Sequence, residues 1–205
     1  RQGALGGARR RPQPRPYRWI WTRPASGPGI HPSHPGDEPH PGASSTPIAV
    51  LVAARNEAER IGSTVEQLRE QFPGAEVIVA DDGLADGTAE TAERAGARVL
   101  RLPTRGKGQA LTLAEREAPP GAIVVCDADL AGDLRPLAAA EGGLAIAVFA
   151  ERQGGGFGIA KLAARALIRA RSGFVPVEPL SGQRVFSAEA RAVCFPLAAG
   201  FGCEV

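Results

Sequence analysis

Methionine is absent from the chain, and lysine occurs only as Lys107 and Lys161. The cysteines, Cys126, Cys194 and Cys203, are odd in number and show no metal-ligand spacing. A disulfide framework and a cysteine-bound zinc site are thereby excluded, and a reducing cytosolic compartment is the simplest inference. No apolar run approaches the roughly 18 residues that a membrane-spanning helix needs. No apolar core of a signal peptide is present near the start. No G-x-G-x-x-G follows the first strand-like run, which excludes a dinucleotide-binding dehydrogenase. Excess positive charge is missing where a nucleic-acid-binding face would need it. Residues up to Thr46 carry about +5 and the remainder about −3, so the overall +2 conceals a mildly acidic globular part. The chain starts at Arg1 and stops at Val205 within a motif, so an incomplete chain is expected.

The 205 residues suffice for one domain with a proper core and an extension. Residues 1–46 hold half of the prolines and almost no aliphatic periodicity, the composition of a disordered tail. All three histidines, His31, His34 and His40, fall in this tail, where a flexible linker is favoured over a metal-binding segment. The cluster of Tyr17, Trp19 and Trp21 with flanking arginines suits a membrane surface such as the inner face, and equally suits upstream sequence without a role. From Pro47 onward, buried strands alternate with helices. IAVLVAA, AEVIVA, ARVLRL, AIVVC and LAIAVFA read as strands. Asn56 is placed to cap a first helix, with Glu59 completing a capping box and Ile61, Val65, Leu68 and Phe72 as its apolar stripe. Pro73-Gly74 stops it. Further helices are expected over Thr88–Ala95, after RGKGQAL, and over Leu134–Glu141. The rhythm implies an α/β fold with a mostly parallel sheet flanked by helices.

The polar residues gather just after the carboxyl ends of these strands, where open α/β sheets bind ligands. Arg55, Asn56 and Glu57 follow the first strand, Asp81 and Asp82 the second, Asp127 and Asp129 the fourth. Two carboxylates one residue apart repel unless a cation or proton lies between them. Mg²⁺ or Mn²⁺ shared with substrate phosphates is the usual solution. Carboxylates at 81 and 82 suit the N–H groups of a base or the hydroxyls of a ribose, although Asp-Asp-Gly is also ordinary turn chemistry and Asp86 a plausible helix cap. Arg105-Gly106-Lys107-Gly108 opens a helix with the amides and ammonium of a phosphate site, but lacks Walker-A spacing. The glycine run from Glu151 to Gly158 is read as a loop, with a lid over the site as the functional alternative.

Taken together, VLVAARNEAERI, VIVADDGLADGT, RGKGQAL and VVCDADL resemble the nucleotide-sugar-binding half of family 2 glycosyltransferases, which have the GT-A fold. The likeness covers residues 47–150. Residues 151–205, with PLSGQRVFSAEA and GFGCEV, look like the acceptor half of small bacterial members, among them relatives of glucosyl-3-phosphoglycerate synthase and the polyprenyl-phosphate sugar transferases. The resemblance implies that Ala53, Arg55 and Glu57 line the nucleoside and that Asp82, with Asp81 beside it, reads the base. It implies that Lys107 approaches the base or phosphate edge. It further implies that Asp127 contacts the nucleotide-sugar and is metal-binding with Asp129, the pair forming the family's DxD motif with Asp129 favoured as the direct ligand. Glu204 stands at the acidic acceptor-side position. Leu84 departs from the family, which carries serine there.

The activity implied is metal-dependent transfer of a sugar from a nucleoside diphosphate to an acceptor hydroxyl, on a small phosphorylated molecule or a lipid-linked one. Glu204 is the candidate base that takes the hydroxyl proton. Arg184 is the candidate partner of an acceptor phosphate. A catalytically silent nucleotide-binding fragment is the rival from another class. A sugar-nucleotide pyrophosphorylase is disfavoured because AARNEAER has no glycine-rich loop.

Overall fold

The computed structural model describes residues 17–22, 48–83, 86–103, 106–130, 132–139, 143–149, 158–173 and 180–199. In chain order the elements are β1 (Tyr17–Thr22), β2 (Ala49–Ala54), α1 (Ile61–Gln71), β3 (Glu76–Asp81), α2 (Thr88–Arg94), β4 (Arg98–Arg101), α3 (Lys107–Glu117), β5 (Ile123–Asp127), α4 (Arg135–Ala138), β6 (Leu144–Phe149), α5 (Gly158–Ser172), β7 (Arg184–Phe186) and α6 (Ala188–Cys194).

Seven strands form one sheet in the order β1-β6-β7-β5-β2-β3-β4. Strands β4, β3, β2 and β5 run parallel, and the continuous apolar runs of β2, β3 and β5 suit a sheet covered by helices on both faces. The β2, β3 and β5 side chains alternate between two cores. One face packs Val50, Val52, Val77, Val79, Val124 and Cys126 against Ile61, Val65 and Leu68 of α1. The other packs Leu51, Ile78, Ile123 and Val125 against Ala110, Leu111 and Ala114 of α3. Burial on both faces pushes the Cys126 thiol up, so it stays protonated and acts as a packing group.

Two features depart from the expected strand rhythm. Arg184–Phe186 forms a strand that inserts antiparallel between β5 and β6, pairing Arg184 with Val125 on one side and Ile146 on the other. Three residues carry too little periodicity to announce a strand, although Val185 and Phe186 are buried. Within the segment expected to lack structure, Tyr17–Thr22 pairs antiparallel with β6 at the sheet edge. Its sequence, YRWIWT, is rich in residues of high β-propensity. The rest of residues 1–47 lies outside the described residues.

The first helix also begins later than its apparent cap. Asn56 adopts a left-handed backbone, φ 58°, a region that asparagine tolerates better than most residues. A turn follows in which the Glu57 carbonyl accepts from the N–H groups of Arg60 and Ile61, so the helix starts at Ile61. Its expected stripe of Ile61, Val65, Leu68 and Phe72 is buried.

Helix α6 is fastened by one side chain. Arg191 donates from Nε to Glu115 Oε1 at 2.6 Å, and its two terminal nitrogens reach the carbonyls of Glu115, Ala118, Pro119 and Gly121 at 2.6–3.3 Å. These are carbonyls of the last turn of α3 and the turn after it, where intrahelical donors run out; the Glu115 carbonyl also accepts the Ala118 N–H. Beside this anchor, the Phe186 and Phe195 rings meet edge to face, centroids 5.5 Å apart. Among the described residues, no helix is long and apolar enough to cross a membrane.

Candidate active site at the carboxyl ends of the parallel strands

Strand register brings the expected residues to one edge of the sheet. Ala53 lies beside Asp127 across β2 and β5, and Ala54 lies beside Asp81 across β2 and β3. Alternation then divides them between the faces. Ala53 packs with the core on the α3 side. Asp82 also turns toward α3, where its Oδ2 accepts the Gly106 N–H at 2.8 Å. Asp81 points to the opposite side, where its Oδ1 accepts the Gly83 N–H at 3.1 Å. Both carboxylates are buried, 7% exposed for Asp81 and 4% for Asp82.

Burial raises the Asp81 carboxyl above its ordinary 3.8, the bond from Gly83 opposing this only in part. A carboxyl raised in the folded state leaves the two states equal below about pH 4 and disfavours the folded state as pH rises through the raised value. Asp81→Asn keeps the acceptor oxygen and removes the charge. The variant is expected to melt higher than the parent at pH 7, with the gain vanishing near pH 3.5, in melting curves taken across that range. A gain independent of pH would contradict the assignment.

The loops are tied together by polar contacts. The Asp82 N–H donates to the Ala54 carbonyl at 2.9 Å. The Glu57 N–H donates to Thr88 Oγ1, also at 2.9 Å, joining the loop after β2 to the start of α2. Asp86 accepts from the Thr88 N–H and hydroxyl, which draws its own carboxyl below the usual range; it stands one residue before the N-cap of α2, which is Gly87 and not Asp86. The Glu57 side chain is half-buried, whereas Arg55 is exposed.

The Asp127-Ala128-Asp129 turn leaves β5 with its backbone held from beneath by α1. Thr64, itself buried, donates its hydroxyl to the Ala128 carbonyl at 2.6 Å. Gln71 donates to the Gly132 carbonyl and accepts from the Leu134 N–H. Asp129 is exposed. Asp127 is half-buried, and its Oδ1 takes the Lys107 ammonium at 2.6 Å. Lys107 is the first residue of α3, so the lysine expected near a phosphate rests on the first aspartate of the DxD. On its other side Asp127 packs against Gly182. A Cβ there would stand 2.7 Å from Oδ1 and closer still to Oδ2. Only glycine fits.

Gly182 lies in the turn before β7, between the buried polar residues Ser181 and Gln183. Arg184 closes that turn by donating Nε to the Ser181 carbonyl at 2.9 Å. Thr64, Gln71, Thr88 and Gly182 were not singled out from sequence, because each acts through a partner at least 31 residues away. Glu204, Leu84 and the glycine run of residues 151–157 lie outside the described residues.

No three His, Cys, Asp or Glu side chains gather into a metal cage among the described residues. Asp127 and Asp129 nevertheless suit a hard divalent cation that takes one or two carboxylates and fills its shell with water and substrate phosphates. That Asp127 already holds an ammonium shows that the position accepts positive charge.

Comparison with known proteins agrees with this geometry. Residues 49–133 match the family model for glycosyl transferase family 2. Protein RfbJ of Shigella flexneri is 38% identical over 61 residues, covering 30% of this chain and 47% of that protein. Glycosyltransferase AglJ of Haloferax volcanii is 42% identical over 64 residues, covering 31% and 21%. In structure, the chain is similar to glucosyl-3-phosphoglycerate synthase from Mycobacterium tuberculosis in complex with Mn²⁺, uridine-diphosphate-glucose and phosphoglyceric acid. The TM-score is 0.63 at 31% identity, over 78% of this chain and 63% of that one. Mannosyl-3-phosphoglycerate synthase from Rubrobacter xylanophilus gives 0.55 at 25%, over 70% and 54%. The chain thus spans less than half the length of these curated relatives and about three fifths of the first synthase. A parallel sheet ending in paired carboxylates, a matching family model and structural neighbours of this kind converge: residues 49–133 are similar to the family 2 glycosyltransferases, and the chain has a GT-A-type fold.

Proposed function

We propose that the chain transfers a sugar from a nucleoside diphosphate sugar to a hydroxyl of a small phosphorylated acceptor, with Mg²⁺ or Mn²⁺ held at Asp127 and Asp129. The carrying observation is the placement of Asp127 and Asp129 at the carboxyl end of β5, one strand from Ala53 and two from Asp82. The synthase neighbour's complex with Mn²⁺, a UDP-sugar and phosphoglyceric acid supports the donor, cation and acceptor classes.

In this reading Asp82 and Asp81 accept hydrogen bonds from the base or ribose, with Ala53, Arg55 and Glu57 around the nucleoside. Asp127 and Asp129 hold the cation against the diphosphate. When bound, the cation neutralises and orients the leaving group. Arg184 pairs with an acceptor phosphate, and Glu204 takes the proton from the attacking hydroxyl if transfer inverts the sugar.

The test is a thermal-shift screen of UDP-, GDP- and ADP-sugars, with and without Mn²⁺, on the parent and Asp129→Ala. One donor at about 100 times its Kd should raise Tm by about 5–10 °C with Mn²⁺ and much less without it. Asp129→Ala should abolish the metal-dependent part while melting normally, since Asp129 is exposed. A shift that survives in Asp129→Ala, or that ignores Mn²⁺, would sink the reading. Metal-dependent binding without turnover would instead identify a silent binding domain.

A further inference from the structure

Asp127 carries a contact that an incoming cation must disturb. Its Oδ1 lies 2.6 Å from Lys107 Nζ, with the lysine side chain 15% exposed and the carboxylate 31%. The pair is placed by the fold. Gly106, at the start of α3, gives its N–H to Asp82 Oδ2, which fixes where Lys107 begins the helix. Gly182 stands against the same carboxylate, with no space between them for a side chain. Partial burial makes such a contact stronger than one in open water.

The geometry points to Lys107 as a resident counter-cation for Asp127. It neutralises the carboxylate in the empty site and moves to the donor diphosphate when nucleotide and divalent cation enter together. This rests on the reading of Asp127 and Asp129 as cation ligands. Charge sets the consequence. With Lys107 in place, the two aspartates and the ammonium sum to about −1, so a divalent cation alone finds a weakened site and competes with the lysine. When a diphosphate is present, the ammonium gains a new anion and Asp127 is released to the metal. Metal and nucleotide then bind as coupled partners, each raising the affinity of the other by the same factor. Lys107 is thus a positioning residue that suppresses occupation of the site by metal alone.

Mn²⁺ titration, followed by the paramagnetic resonance signal of the free ion, tests this with and without UDP on the parent, Lys107→Met and Lys107→Gln. Melting curves confirm folding, and the second variant serves if the first does not fold. Either folded variant should bind Mn²⁺ alone about tenfold more tightly than the parent, and the enhancement by UDP should shrink by a similar factor. Mn²⁺ affinity that is unchanged or weaker in the variants overturns the inference. If the parent shows no UDP binding, the transfer reading fails, while the comparison with Mn²⁺ alone still decides the role of Lys107.

Discussion

Replacing Arg191 by alanine lowers stability by about 3–5 kcal/mol, the range found when one partner of a buried ion pair is removed. The Arg191 and Glu115 side chains are 12% and 18% exposed, so this pair is far from the surface regime in which ion pairs contribute little. The loss goes beyond the pair. Carbonyls of Glu115, Ala118, Pro119 and Gly121 lose a common donor. Helix α6, which has no fully buried side chain, is then held by the packing of the half-buried Ala190 and Cys194 against the core. For a chain of this size the change should lower Tm by about 6–20 °C in a calorimetric scan. Arg191→Lys should recover little, since an ammonium cannot reproduce the planar fork that reaches several acceptors. A loss below about 1 kcal/mol for Arg191→Ala would show that the cage is not formed in solution.

Gly182→Ala is expected to disable the site and destabilise the fold together. The added methyl has no free space, because the Asp127 carboxylate occupies it. Either the 180–183 turn retreats, pulling on the buried Ser181 and Gln183, or Asp127 rotates away from Lys107. Overpacking of this kind costs about 1–3 kcal/mol. Retreat of Asp127 should also reduce Mn²⁺-dependent donor binding by about tenfold or more, equivalent to about 1.4 kcal/mol. Titration of the donor in the presence of Mn²⁺, beside a melting curve, reads both effects. A variant with parental donor affinity and parental stability would show that the methyl is accommodated without disturbing Asp127, against the prediction.

These two residues mark where sequence reasoning stops. The buried strands were legible because apolar runs such as Ile123–Cys126 have no polar face and so demand cover on both sides. The α1 stripe was legible from its helical spacing. The carboxylates were legible because a strand ending in Asp-x-Asp places charge at a known edge of an α/β sheet. Asn56 misled because a residue suited to capping is also one of the few suited to a left-handed turn, and only the backbone distinguishes the two. Strand β7 was hidden by its length. The link between Lys107 and Asp127, the glycine under Asp127 and the arginine cage share another property: each joins segments 20 or more residues apart. Local pattern does not encode such contacts.

The insertion of β7 between β5 and β6 has a consequence for how the protein is made. During synthesis β5 and β6 emerge first, yet they become neighbours only through a strand that follows both. From the end of β5 to β7 the ribosome adds about 60 residues, roughly 3–12 s at typical speeds. Over that interval β5 presents an unpaired edge, the kind of surface that recruits other chains. Asp127 meanwhile waits for Gly182, so the surroundings of this carboxylate are complete only when the 180–183 turn arrives. A nascent chain halted before Gly182 would therefore hold most of the sheet but an unfinished site, and crowding on the ribosome would threaten it most at that point.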